Sequence, residues 1–144
     1  MGHISPFCEL KVARDYAFER KAENILEGLV RTFPLYNKSI PIFVKGTNKY
    51  LHACYNYPHN ADFSGFTSAE FSLTKTSGFV YWFEISPNFR RKGYGAQLYD
   101  IVEKFSIEFG CTKMHTKSLK EATPFWERLG FAGGRRKDVY EKLL

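Results

Sequence analysis

Arg90-Arg91-Lys92-Gly93-Tyr94-Gly95 is the stretch of this chain where residue types and spacing converge on one chemistry. Its two glycines, one residue apart, let a backbone turn tightly with its N–H groups facing outward, and three cations stand directly before them. Downstream, Tyr94, Leu98, Ile101, Val102, Phe105 and Phe109 recur at helical spacing before Gly110, which suits a C-terminal cap. The loop amides would therefore sit at the positive end of a helix. Such a turn binds phosphate, and the cations favour a pyrophosphate or polyphosphate over a neutral ligand. The same residues also suit a strand-to-helix turn with solvated charges. The Lys-Ser/Thr pair of a nucleotide-hydrolysing loop is missing, and Leu98 stands where a dinucleotide-binding fingerprint has its third glycine.

An apolar run must lead into this loop and hold it. Phe79-Val80-Tyr81-Trp82-Phe83-Glu84-Ile85 is aromatic and β-branched, bounded by Ser77-Gly78 and Ser86-Pro87, and reads as a buried central strand. Strands are also expected near residues 7 to 13, at 40–44, at 50–57 and at 70–75, with a hairpin connection at Lys45 to Lys49. Between the first two lies a helix capped by Asp15, with Phe18, Ala22, Ile25, Leu26, Leu29, Val30 and Phe33 on its core face and Pro34 at its end. Pro58 to Gly65 reads as a loop. Cys111 to Lys117 alternates as a strand, which should lie parallel to the central one because a helix of crossover length joins them. Thr123 as N-cap with Pro124 at the first helical position then starts a short helix carrying Phe125, Trp126 and Leu129 inward, and residues 138–144 form a last strand.

The 144 residues bound this to one domain with a dense aromatic core. Cys8, Cys54 and Cys111 show no metal-ligand spacing and an odd number, so reduced thiols in a cytoplasmic protein are expected, and no metal. No run is long enough to span a membrane, and residues 1–6 lack the features of a signal peptide. A net charge of +6 leaves an anionic partner open.

Arg90-Arg91-Lys92-Gly93-Tyr94-Gly95, with Ile85 two residues before Pro87, resembles the coenzyme loop of the GCN5-related N-acetyltransferases (GNAT family). Ala122 to Phe131, with its Leu129-Gly130-Phe131 ending, resembles that family's later helix. The resemblance covers roughly the C-terminal half. It implies an α/β fold of the acyl-CoA N-acyltransferase type: a mixed, mostly antiparallel sheet with flanking helices, whose two central parallel strands splay apart to admit the pantetheine arm. It implies acetyl-CoA as cosubstrate and transfer of its acetyl group to a primary amine in a ternary complex. The coenzyme would contact Arg90, Arg91, Lys92, Gly93, Tyr94, Gly95 and Ala96, the backbone of Phe83 and Ile85, and the ring of Trp126. The acceptor is left open among a small molecule, a protein and an aminoacyl-tRNA. Nucleic acid thus enters as an acceptor carrier, with no membrane partner and with self-association into a homodimer undecided.

Two departures from the family pattern concern proton transfer. Trp126 stands where many relatives have a tyrosine acid, and an indole N–H cannot usefully exchange its proton. Leu119 stands where an asparagine is often found. For the base, Glu84 on the central strand is the first candidate and His115 the second, with Ser118 placed to position the acceptor. Each also has a plain structural reading, as a strand carboxylate, a hydrogen-bonded histidine and a strand-end serine. Two other functions compete: a coenzyme-binding module with little catalysis, which Trp126 favours, and a small basic nucleic-acid-binding domain, in which Arg135, Arg136 and Lys137 would meet phosphates.

Overall fold

A computed structural model describes residues 13–56, 66–133 and 137–144. The expected strand near 7–13 and the loop at 58–65 lie almost wholly outside them. The first described element is helix α1, Tyr16–Val30, whose N-terminus is fixed by the Asp15 carboxylate accepting from the Phe18 N–H at 3.1 Å. It ends before Pro34 because tighter bonds, Thr32 N–H to Leu29 O and Phe33 N–H to Val30 O, wind up the last turn and drop Phe33 into the core. The helix does more than cover the core. Buried Glu19 accepts two bonds from Arg14, at 2.9 and 2.6 Å, and one from the Gly46 N–H at 2.8 Å, fastening the helix to the sheet.

Strands β1 (Ile42–Gly46) and β2 (Tyr50–Tyr55) form the expected hairpin, followed by β3 (Ser68–Thr74) and the central strand β4 (Ser77–Glu84). Helix α2 (Tyr94–Glu108) crosses to β5 (Lys113–Lys117), and the short helix α3 (Thr123–Arg128) precedes β6 (Ala132–Gly133) and β7 (Val139–Leu143). Among the described residues the sheet has seven strands in the order β1-β2-β3-β4-β5-β7-β6, and only β4 and β5 pair in parallel. The mixed, mostly antiparallel sheet with flanking helices is therefore as expected. Two-residue β6 is too short to leave a sequence pattern.

One face of the sheet is apolar and carries the helices: Leu98, Ile101, Val102 and Phe105 of α2 are buried, with Phe105 edge-on to Phe71 at 5.7 Å. The opposite face is polar although buried, and holds His52, Cys54, Glu70 and Ser72. Cys54 is disulfide-bonded while Cys111 is free, so the expectation of reduced thiols throughout fails at Cys54. Spacing could not show this, because tertiary contact decides which cysteines meet. Thr123 is also not the cap of α3. A single 3₁₀ turn over Lys120–Ala122 runs straight into the helix, leaving Thr123 with helical angles and Ala122 as cap.

Candidate functional site

The site begins where a ladder ends. β4 and β5 pair from Ser77↔Lys113 to Val80↔Thr116, and the Thr116 hydroxyl closes the pair by donating to Val80 O at 3.3 Å. Beyond it, a bulge leaves Tyr81 as an extra residue between the β3 partners of Val80 and Trp82, which bends β4. On the other side Ser118 donates its N–H to Asp138 O at 2.8 Å, drawing the chain after β5 toward β7. The strands splay, and a cleft of about 460 Å³ opens between Tyr81–Glu84 and Lys117–Leu119, with Ala122, Trp126 and Asp138 completing its wall.

The basic loop lies just past the open end of β4. Gly93 caps α2 with a left-handed φ of 84°, and Arg91 has a φ of 62°. The first helical bond is Gln97 N–H to Gly93 O at 3.2 Å, so the amides of Tyr94, Gly95 and Ala96 point away from the helix without a backbone acceptor among the described residues. A Cβ at Gly93 would meet nothing within 4 Å, so the turn is open on that side. Exposed Arg91 and Lys92 directly precede it. Outward amides, a helix N-terminus and two exposed cations, with the Lys92 ammonium resting 6.0 Å above the Phe89 ring, fit a pyrophosphate.

The two glycines act differently. Gly93 supplies the turn, whereas Gly95 makes room: a Cβ there would lie 2.8 Å from the Phe125 ring, so its absence lets α3 sit against the start of α2. Arg90 does not join the rim. Its Nε donates to Ile85 O at 2.8 Å and its Nη2 stands 3.4 Å from Glu84 Oε1, so it clamps the loop to the end of β4. The Ile85 carbonyl is thereby occupied by a side chain of the protein. Tyr94 wedges edge-on between Phe33 and Phe89, at 6.3 and 6.0 Å, and Ala96 opens onto a second cleft of about 310 Å³ beside Thr32 and Gln97.

Of the residues singled out in sequence, the fold brings Phe83, Glu84, Ser118 and Trp126 to the cleft. The Glu84 side chain is 18% exposed. Ser118 is buried, donating to Leu119 O at 2.8 Å and standing 3.3 Å from the Thr123 hydroxyl. Trp126 is 5% exposed, edge-on to Phe83, Tyr99 and Phe131, so its ring is cleft floor and core at once. His115 is not among the residues lining the cleft, and pairs with Glu141 at 3.3 Å on the opposite face.

Tyr81, Trp82, Thr116 and Asp138, which carry no motif in the sequence, also line the cleft, as does Leu119 at the position of the family's asparagine. Tyr81, Trp82 and Leu119 are 48%, 39% and 76% exposed. Tyr81-Trp82-Phe83 carries no signal of the bulge, because adjacent rings alternate faces in any regular strand covered on both sides, and only the register with β3 shows it.

A mixed sheet with one parallel pair, splayed beyond a bulge and followed by a phosphate-fitting loop at a helix N-terminus, defines an acyltransferase-like architecture. The acetyltransferase (GNAT) family model matches residues 23–131, and the chain belongs to that family. Among solved structures, an acetyltransferase from Bacillus cereus ATCC 14579 aligns with a TM-score of 0.52 at 15% identity, covering 94% of this chain and 97% of that one. Tetrahymena GCN5 aligns with a TM-score of 0.51 at 13% identity, over 90% and 88% of the two chains. At these identities the likeness is one of fold. No curated protein sequence matches the chain. Among the described residues, no helix is long and apolar enough to cross a membrane.

Proposed function

We propose that this protein is an acetyl-CoA-dependent N-acetyltransferase in which a primary amine attacks the thioester directly within a ternary complex. The observation that carries this reading is the continuity of the open end of β4 with the loop whose amides and cations fit a pyrophosphate. Acetyl-CoA would supply the activated acyl group, and the protein's part is to hold, orient and move protons. Arg91, Lys92 and the amides of Tyr94 to Ala96 hold the diphosphate. Where the ladder to β5 ends, the β4 edge offers backbone groups to an extended pantetheine chain, in the manner of an added strand. Phe83 and Trp126 form an apolar floor beneath it.

Glu84 is the base in this scheme, taking the proton of the ammonium, with Arg90 fixing its carboxylate at the mouth of the cleft. The exposed Tyr81, Trp82 and Leu119 on the cleft wall, next to the Glu84 and Asp138 carboxylates, favour an amine carried on an apolar or aromatic body. Ser118 donates to a backbone carbonyl, so it acts as a positioning residue at the cleft wall. A second reading, coenzyme binding with little turnover, is favoured by the buried indole of Trp126 at the position of the usual acid.

Calorimetric titration with acetyl-CoA, followed by thiol release over a panel of aromatic, aliphatic and anionic amines, decides between the two. Saturable binding with turnover on aromatic amines supports the enzyme reading, and binding without turnover on any amine supports the second. Failure to bind acetyl-CoA would overturn both.

A further inference from the structure

The buried polar face of the sheet holds a donor set that the acetyl-transfer reading leaves unused. His52 and Cys54 are two residues apart on β2 and therefore share a face, and Glu70 is the cross-strand partner of Cys54 on β3. His52 Nε2 lies 3.5 Å from Cys54 Sγ and 3.4 Å from Glu70 Oε2, and the three donor atoms all fall within 4.8 Å of one another. No sequence spacing reveals them, because strand register brings them together.

The His52–Cys54 and His52–Glu70 separations are those of a coordination polyhedron. Ligand distances of about 2.0–2.3 Å at tetrahedral angles put neighbouring donors about 3.3–3.7 Å apart. His52, Cys54 and Glu70 are 2%, 2% and 5% exposed, and Glu70 Oε2 makes no hydrogen bond among the described residues although it is buried and faces the imidazole. A thiolate, a carboxylate, a neutral imidazole and a divalent cation sum to zero charge, which removes the penalty of burying either anion alone.

We propose that His52, Cys54 and Glu70 form a divalent zinc-type metal site that becomes competent when the Cys54 disulfide is reduced. A thiol reductant, oxidised to its own disulfide, or a phosphine, oxidised with the oxygen of a water to its oxide, supplies two electrons; the S–S bond breaks, each sulfur takes up a proton, and Cys54 and its partner cysteine are both left as thiols. The metal then displaces the thiol proton to solvent as the metal–sulfur bond forms. The oxidised chain has a half-site and the reduced chain a full set of one sulfur, one nitrogen and one oxygen donor.

The test is Co²⁺ titration of the full-length protein, oxidised and phosphine-reduced, followed by visible and near-ultraviolet absorption. Reduced protein is expected to show tetrahedral d–d bands and a thiolate charge-transfer band, with oxidised protein binding at least about 100-fold more weakly. Glu70→Gln and His52→Gln, checked for fold by circular dichroism, should each weaken binding by about 10- to 100-fold, and Cys54→Ser should remove the charge-transfer band. Equal uptake in both redox states overturns the proposal. So does a thiolate band that survives Cys54→Ser, unchanged affinity in Glu70→Gln and His52→Gln, or no uptake by reduced protein. None of these readouts depends on acetyl transfer.

Discussion

The two ends of the β4–β5 pair are built from the same kinds of residue and behave in opposite ways. At the closed end Val80, Met114 and Thr116 are 0–2% exposed, and Gly78 fits so tightly that a Cβ there would meet Met114 and Leu73 at 2.5–2.9 Å. At the open end Tyr81 and Trp82 stand 48% and 39% exposed. The difference lies in each strand's other neighbour. β4 follows β3 to Ser68↔Glu84 and β5 follows β7 to Lys117↔Val139, so two antiparallel ladders carry the parallel partners apart. Antiparallel pairing is slightly more stable per residue, and the cleft follows from that competition rather than from a void in the packing.

The largest effects are expected at the loop beyond the open end. Gly93→Asp keeps a residue that tolerates a left-handed φ but places an anion before the outward amides, so acetyl-CoA affinity should fall by at least about 100-fold at unchanged thermal stability. Unaltered affinity by calorimetry would separate the loop from coenzyme binding. Glu84→Gln should lower kcat by about 100-fold while leaving coenzyme affinity intact, and an unchanged pH–rate profile would remove Glu84 from proton transfer.

The closed end should answer in stability instead. Gly78→Ala crowds Met114 and Leu73 and should destabilise the fold by about 2 kcal/mol in denaturant titration, with coenzyme affinity retained. Thr116→Val, which deletes the bond to Val80 O, should cost about 1 kcal/mol and a few-fold in affinity as the splay moves toward the core. Glu19, at the far edge of the sheet, serves as a control for both ends. Its hydrogen bond from Arg14 holds its carboxyl below the usual value, so its contribution is present above the unfolded pKa of about 4.3 and is lost as pH falls through the lower folded value. Glu19→Gln should flatten that acid limb of the stability curve and leave the cleft untouched.

Periodicity exposed α1, α2, the β1–β2 hairpin, the crossover and the glycine loop, because each is a local pattern with a local signal. What escaped it was set by pairing at a distance. The Tyr81 bulge depends on register with β3, the His52–Cys54–Glu70 cluster depends on two strands meeting, and the inward turn of Arg90 depends on where Glu84 and Ile85 end. His115 is the second candidate in sequence because it lies on the strand parallel to that of Glu84, yet a strand's two faces lead to different places, and His115 pairs with Glu141 across from the helices. Gly95 read as a flexible turn residue, and its reason for being glycine is a phenylalanine thirty positions later.

The Arg90 clamp makes the order of filling matter. One guanidinium touches both the end of the central strand and the carboxylate proposed as base, and it belongs to the loop that would receive a diphosphate. An anion drawn into that loop competes for this guanidinium, so whatever the loop gains, the Glu84 contact gives up, and by reciprocity a positive group resting on Glu84 alters the hold of the loop. The enzyme reading then becomes a sequential one, in which the donor loads first and turns an occupied carboxylate toward the incoming amine.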